Sequence, residues 1–170
     1  MKRILLVDGY NVIGAWPELS NLKDYDLEMA RNGLIAKMAE YQSYTGYDIV
    51  IVFDAQYVRG TQRKMERHKV KIVFTKEDET ADEYIERKAI EWKNAKTQIM
   101  VATSDYTEQW AIFGQGALRI SSRELFFEIQ EMSRSIDKKM KRIREEMPKS
   151  KLNLDSDTIQ QLEKWRRGEK

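Results

Sequence analysis

The sequence predicts an α/β protein in which a parallel sheet carries helices on both faces, and three observations predict it. Short uninterrupted apolar runs, Ile4 to Val7, Ile49 to Phe53 and Ile99 to Val101, have the length expected of strands buried on both faces. Longer stretches between them place apolar residues at helical spacing. The two kinds alternate along the chain, which is the pattern of strand–helix–strand units and of parallel sheets. With 170 residues and 41% hydrophobic content, the chain is long enough for one well-buried domain and too short for two. We expect that domain at residues 1–132, with a basic helical extension, residues 133–170, packed on it.

The first strand ends in Asp8, Gly9, Tyr10 and Asn11, and a loop through Trp16 and Pro17 is expected to follow. Asp24 and Asp26 are plausible caps for a helix from Leu27, in which Met29, Ala30, Leu34, Met38 and Tyr41 recur at helical spacing; Gly46 is placed to stop it. The second strand runs from Asp48 to an exit at Asp54. A polar loop, Ala55 to His68, leads to a third strand through Val70, Ile72 and Val73. Thr80 and Glu83 form a capping box for a helix reaching about Lys96, with Ala81, Ile85, Ala89 and Trp92 buried and Asp82 in the first turn. The fourth strand, Gln98 to Thr103, delivers Ser104 and Asp105. A short helix ends at Gly114, a brief strand spans Leu118 to Ile120, and Ser121 with Glu124 caps a long helix that Pro148 terminates. A last helix is capped near Ser156 and stops at Gly168.

Three strand exits thus carry aspartates, Asp8, Asp54 and Asp105, and Asp82 joins them from the start of a helix. In open parallel sheets ligands bind beyond the carboxyl ends of the strands. Carboxylates gathered there repel one another unless a cation sits among them. Oxygen donors without His or Cys select a hard ion, Mg²⁺ or Mn²⁺. The alternative is that each aspartate caps a helix or pairs with a local lysine, and Asp54 fits that alternative in part. Asn11 and Ser104 are candidates for positioning ligands or water.

Charge indicates the substrate. The formal net charge is only +2, yet residues 59–76 hold seven basic residues, including Arg59, Arg63, Lys64, Arg67, Lys69 and Lys76, against Glu66 alone. Residues 133–151 hold eight basic residues against three acidic, so the remainder of the chain is net acidic. A basic rim around an acidic centre is the layout of a metal-dependent nuclease: cations hold the phosphate backbone while carboxylate-bound metal acts on it. For the extension, a solvated helix face is the equal alternative. Tyr10, Tyr57 and Tyr106 are possible stacking surfaces for bases, whereas Trp16 fits core packing better.

Val7-Asp8-Gly9-Tyr10-Asn11, Val52-Phe53-Asp54-Ala55, Glu79-Thr80-Ala81-Asp82 and Ala102-Thr103-Ser104-Asp105, in this order, resemble the NYN branch of the PIN-like nucleases, and within it the YacP type of Gram-positive bacteria. The resemblance covers roughly residues 3–130. It implies a PIN-like three-layer αβα fold with a five-stranded parallel sheet of order 3-2-1-4-5. It also implies a metal-dependent endoribonuclease that is ribosome-associated and acts on mRNA, in which Asp8, Asp82 and Asp105 match the acidic metal-binding residues and Asn11 the family's Asn.

Other classes fit less well. No GxxxxGK loop or GxGxxG turn follows a strand. An aspartate-nucleophile phosphatase would want a second Asp where Tyr10 stands. Without cysteine there are no disulfides or thiolate sites, and the one histidine, His68, lies among charged residues and reads as surface. The apolar run before Asp8 is far shorter than the roughly 20 residues of a membrane span, so we expect a soluble cytoplasmic protein; we also expect a monomer. The serious rival is a non-catalytic RNA- or ribosome-binding protein with a vestigial acidic site.

Overall fold

The computed structural model describes residues 1–55, 63–114, 116–148 and 156–168. In chain order the elements are β1 (Lys2–Asp8), α1 (Gly9–Ala15), α2 (Pro17–Lys23), α3 (Leu27–Thr45), β2 (Asp48–Phe53), β3 (Arg63–Arg67), β4 (Val70–Phe74), α4 (Ala81–Glu91), β5 (Thr97–Ala102), α5 (Tyr106–Gly114), β6 (Leu118–Ile120), α6 (Ser122–Glu146) and α7 (Ser156–Arg166). The chain divides into two compact units, Met1–Met132 and Ser133–Lys170.

The first unit is a mixed sheet in the order β3-β4-β2-β1-β5-β6. Its five parallel strands, β4-β2-β1-β5-β6, have the expected order 3-2-1-4-5, and β1 lies at their centre. Side chains alternate between the two faces of a strand. Leu5 and Val7 therefore join one core with Ile51, Phe53, Leu34, Met38 and Leu125, beneath α1, α2, α3 and the start of α6. Leu6 joins the other with Val52, Tyr84, Ile85 and Ile112, beneath α4 and α5. The result is the three-layer αβα arrangement. Gly46, at φ +72°, ends α3 in the left-handed conformation that glycine adopts without steric cost. Gly9 serves another purpose: a Cβ there would lie 2.4 Å from the Phe53 ring.

Three expectations need correction. Residues 63–67, placed in the polar loop 55–68, form an edge strand, β3, antiparallel to β4. Their charges hid it, because a strand with polar residues on both faces has no apolar alternation. The two-residue turn that joins β3 to β4 also lacks the usual Asn-Gly: His68 and Lys69 themselves adopt φ of 51° and 66°. The segment expected as a loop through Trp16 and Pro17 instead holds α1 and α2. Pro17 opens α2, where its missing N–H costs nothing, and buried Val12, Ile13, Trp16 and Leu19 fix both short helices to the sheet. Finally, α4 ends at Glu91, before Lys96, because Asn94 turns the chain by accepting from the Lys96 N–H at 2.9 Å.

In the second unit α6 continues to Glu146 with Ile136, Met140 and Ile143 on one exposed stripe. There α7 carries Ile159, Leu162 and Trp165, and Gly168 follows it at φ +72°. Among the described residues no helix is long and apolar enough to cross a membrane.

Candidate active site

Asp8 closes β1 and occupies the N-cap position of α1, but its side chain makes no capping hydrogen bond. The carboxylate is 8% exposed and accepts from Thr103 Oγ1 at 3.4 Å. The same Thr103 oxygen accepts from the Asp105 N–H at 3.1 Å. One fully buried hydroxyl therefore connects the exits of β1 and β5 and places the Asp8 carboxylate near the Asp105 backbone. Asp105 also follows its structural alternative in part, since its Oδ1 accepts from Thr107 N at 2.9 Å and caps α5.

Behind Thr103 stands a support that the sequence did not reveal. Gln109, nearly buried on α5, donates from Nε2 to the Thr103 carbonyl at 2.6 Å. Its Oε1 accepts from Arg119 Nη1 at 2.7 Å. Asn11 braces the other side. Its Oδ1 accepts from Ser104 N and from Ser122 Oγ, both at 2.8 Å. Ser104 Oγ accepts from Ser122 N at 3.2 Å, and Trp16 Nε1 donates to the Ser122 carbonyl at 2.8 Å. The oxygen of Asn11 is thus committed to holding α1, the β5 exit and the first turn of α6 together, which gives Asn11 and Ser104 positioning work within the protein. Trp16 is a core residue.

Asp54 leaves β2 half-buried, with the backbone fixed on both sides of it: Thr75 N donates to the Phe53 carbonyl, and Ala55 N donates to Thr75 Oγ1, each at 3.0 Å. Asp82 is half-buried in the first turn of α4, whose capping box is complete, with Glu83 N donating to Thr80 Oγ1 and Thr80 N to Glu83 Oε2. Just before it, Glu79 Oε1 accepts from both Nε and Nη2 of Arg87, at 3.0 and 2.8 Å. This charge-assisted contact raises the Arg87 pKa further.

The donor set at this edge is carboxylate, hydroxyl and amide oxygen, which suits Mg²⁺ or Mn²⁺. Among the described residues no three acidic or histidine side chains stand close enough to form a ready-made cage. That still fits Mg²⁺, which keeps several waters and binds through one or two carboxylates together with substrate phosphate. Asp8 and Asp105, linked through Thr103, are the candidates for such a pair.

The basic residues divide between two ends of the sheet. Lys64 pairs with Val73 and the Arg63 position with Phe74, at the carboxyl edge where Asp8 emerges, and exposed Lys76 follows β4 there. Arg67 pairs with Val70, the first residue of β4, and donates to Asn32 Oδ1 at 3.2 Å, while Lys69 lies in the turn beyond it. The register therefore places the backbones of Arg67 and Lys69 at the end of β4 away from the acidic exits, while the Arg67 side chain reaches back to α3. Arg59 and Tyr57 lie outside the described residues, as do the side chains of Arg63 and Tyr106. Tyr10 packs on Phe53 with ring centroids 5.0 Å apart, and its hydroxyl accepts from Arg31 Nη1 at 3.2 Å.

A family profile described as the YacP-like NYN domain matches residues 5–167. A protein of Bacillus subtilis (strain 168), described as the uncharacterized protein YacP, is 56% identical over 166 residues, 98% of each chain. Two crystal structures of Rae1 (YacP) from Bacillus subtilis share the fold. One, of a tryptophan-to-leucine mutant, has a TM-score of 0.75 at 52% identity and covers 99% of this chain and 96% of its own. The other has a TM-score of 0.73 at 56% identity, covering 97% and 95%.

Proposed function

Because the chain belongs to the YacP-like NYN domain family, we propose that it is a metal-dependent endoribonuclease that cleaves mRNA by water attack, leaving 5′-phosphate and 3′-hydroxyl ends. Membership of that family points to a ribonuclease. The observation that carries the proposal is the shared Thr103 hydroxyl, which holds the Asp8 carboxylate near the Asp105 backbone instead of letting it cap α1. In open parallel sheets the carboxyl ends of the strands are where ligands bind, and a carboxylate placed there without capping its helix is a candidate ligand-binding group.

Asp8 and Asp105, with Asp82 from α4, would hold one or two Mg²⁺ or Mn²⁺ ions, some directly and some through water. A bound ion of this kind supplies an activated water and neutralises charge developing on the phosphodiester. The protein's own groups fix the geometry. Thr103, braced by Gln109, orients Asp8, and the Asn11–Ser104–Ser122 network sets the height of the loop that carries Asp105. Lys64 and Lys76, with Arg59 and Arg63, are the candidates for holding the RNA backbone at the same edge.

Selectivity is part of the proposal. Phosphate contacts carry no sequence information, and the described fold includes no appended base-reading module. We place the enzyme on the translating ribosome in the cytoplasm, docked by its basic surfaces, with mRNA presented to the site.

The test is cleavage of end-labelled RNA with Mg²⁺, with Mn²⁺ and with chelator, followed by analysis of the ends. Metal-dependent 5′-phosphate products support the proposal. Binding without cleavage under any metal supports the vestigial-site rival, and cyclic phosphates that persist in chelator exclude the mechanism. For selectivity, a target sequence shifted by one nucleotide out of frame should escape cutting in cells.

A further inference from the structure

A half-buried arginine stands at the carboxyl edge with no anion beside it among the described residues. Arg31, on α3, donates from Nη1 to the Tyr10 hydroxyl at 3.2 Å, and its guanidinium carbon lies 5.9 Å from the centroid of the Phe74 ring. Tyr10 packs on Phe53 at 5.0 Å, and Phe53 stacks on Phe74 at 5.4 Å. Phe53 and Phe74 are the last residues of β2 and β4 and pair in register one step beyond Val52, the partner of Asp8. The guanidinium is therefore held by Tyr10 and Phe74, two rings that Phe53 packs against, at the rim from which the candidate catalytic aspartate emerges.

Its contacts among the described residues are with neutral groups. Residues 56–62, which follow the Asp54 exit in the chain, include no Asp or Glu. A charge drawn partly out of water is costly unless an anion completes its surroundings. One of the five guanidinium N–H donors is used by Tyr10, and the planar fork that remains matches a phosphate. A lysine could not be positioned in this way, because the stacking and the fixed donor both depend on the guanidinium plane.

We propose that Arg31, oriented by Tyr10 and Phe74, is a phosphate-binding subsite for the RNA strand on the β2–β4 side of Asp8. It anchors a backbone phosphate other than the one cleaved and fixes the direction in which the strand crosses the sheet edge. The proposal rests on the ribonuclease reading and deepens it.

The experiment measures binding of fluorescein-labelled single-stranded RNA by anisotropy in chelator, over a salt series, with thermal melts of every variant. Arg31→Gln keeps the stem as far as Cδ but removes the charge and the guanidinium fork. It should weaken binding about tenfold at low salt and reduce the log–log salt slope by about 0.7, the amount one single-strand phosphate contributes. Arg31→Lys should recover the slope but not the full affinity. Tyr10→Phe, which removes only the hydroxyl, should weaken binding less than Arg31→Gln while the Tm holds. If Arg31→Gln lowers the Tm yet leaves affinity and slope at wild-type values, Arg31 is an internal brace and the subsite is overturned. If the wild-type protein neither binds nor cleaves RNA, the ribonuclease reading falls, and the subsite with it.

Discussion

The Thr103 hydroxyl lies 3.4 Å from Oδ2 of Asp8, across 95 residues of sequence. Because that oxygen also accepts from the Asp105 backbone, its removal should disturb both carboxylates without touching either. Thr103→Val, which keeps the shape, should lower cleavage by roughly 10–100-fold, the range for groups that orient metal ligands. Thr103→Ser should restore most of it. Rates for the two variants, with Mn²⁺ affinity measured alongside, check this; equal rates would remove the hydroxyl from the mechanism.

Asp8→Asn, Asp82→Asn and Asp105→Asn should each reduce cleavage by more than about a hundredfold, beyond the loss expected of a supporting group. Their melts without metal should match wild type, with Asp105→Asn slightly lower because Asp105 caps α5. Added Mn²⁺ at about 100 times its Kd should stabilise wild type by about 2.7 kcal/mol, and this gain should shrink in all three variants. Removing the metal with chelator should return wild type to the variants' Tm. A variant that cleaves normally with metal present would not belong to the site.

Charge reversal should distinguish the two ends of the sheet. Lys64→Glu with Lys76→Glu should weaken RNA binding and flatten its salt dependence by about 0.7 per lost contact. Arg67→Glu with Lys69→Glu, at the start of β4, should do much less. The opposite ranking would move the RNA path to the other end.

The turn between β3 and β4 holds two non-glycine residues at positive φ. His68→Asn with Lys69→Gly should therefore raise stability by about 1 kcal/mol, read from urea melts. A loss of stability would mean that the His68 or Lys69 side chain contributes more than its backbone costs.

Tyr41 sits on α3 with its hydroxyl donating to Glu128 Oε2 at 2.7 Å. Burial first and Glu128 second push its phenol well above the usual range. A raised folded-state pKa contributes stability that is complete below the unfolded value, about pH 10, and is lost as pH climbs beyond it. Tyr41→Phe should cost about 1 kcal/mol near neutrality. Its deficit relative to wild type should narrow between about pH 8 and about pH 10.5, measured by urea melts at both.

The parallel part of the fold was legible because Ile49 to Phe53 and Ile99 to Val101 have no polar alternation, and a strand without it must be buried on both faces. Capping chemistry was legible for the same local reason: Thr80 with Glu83 and Ser121 with Glu124 close their boxes within four residues. The aspartates at strand ends could be found, but not what orients them. Thr103, Gln109 and Ser122 act on partners as far as 111 residues away, and no spacing rule carries that information. Arg31 was missed because one arginine in a helix makes no charge cluster; its meaning depends on rings from β2, β4 and the β1 exit. β3 was missed because its charges conceal its pairing.

Those charges carry a further consequence. Among the described residues the sheet has two outer strands, β6 with three residues and β3 with five, and four of the five in β3 are ionic: Arg63, Lys64, Glu66 and Arg67. Any open sheet offers its rim to strands of other molecules, and crowding in a cell makes such encounters frequent. A short rim and a charged rim both refuse that pairing, since a visiting strand would strip water from ions and gain few hydrogen bonds in return. Replacing Lys64 and Glu66 by threonine and valine would keep the strand and remove the guard. The expected defect is a turbid, concentration-dependent preparation in which every molecule is still correctly folded.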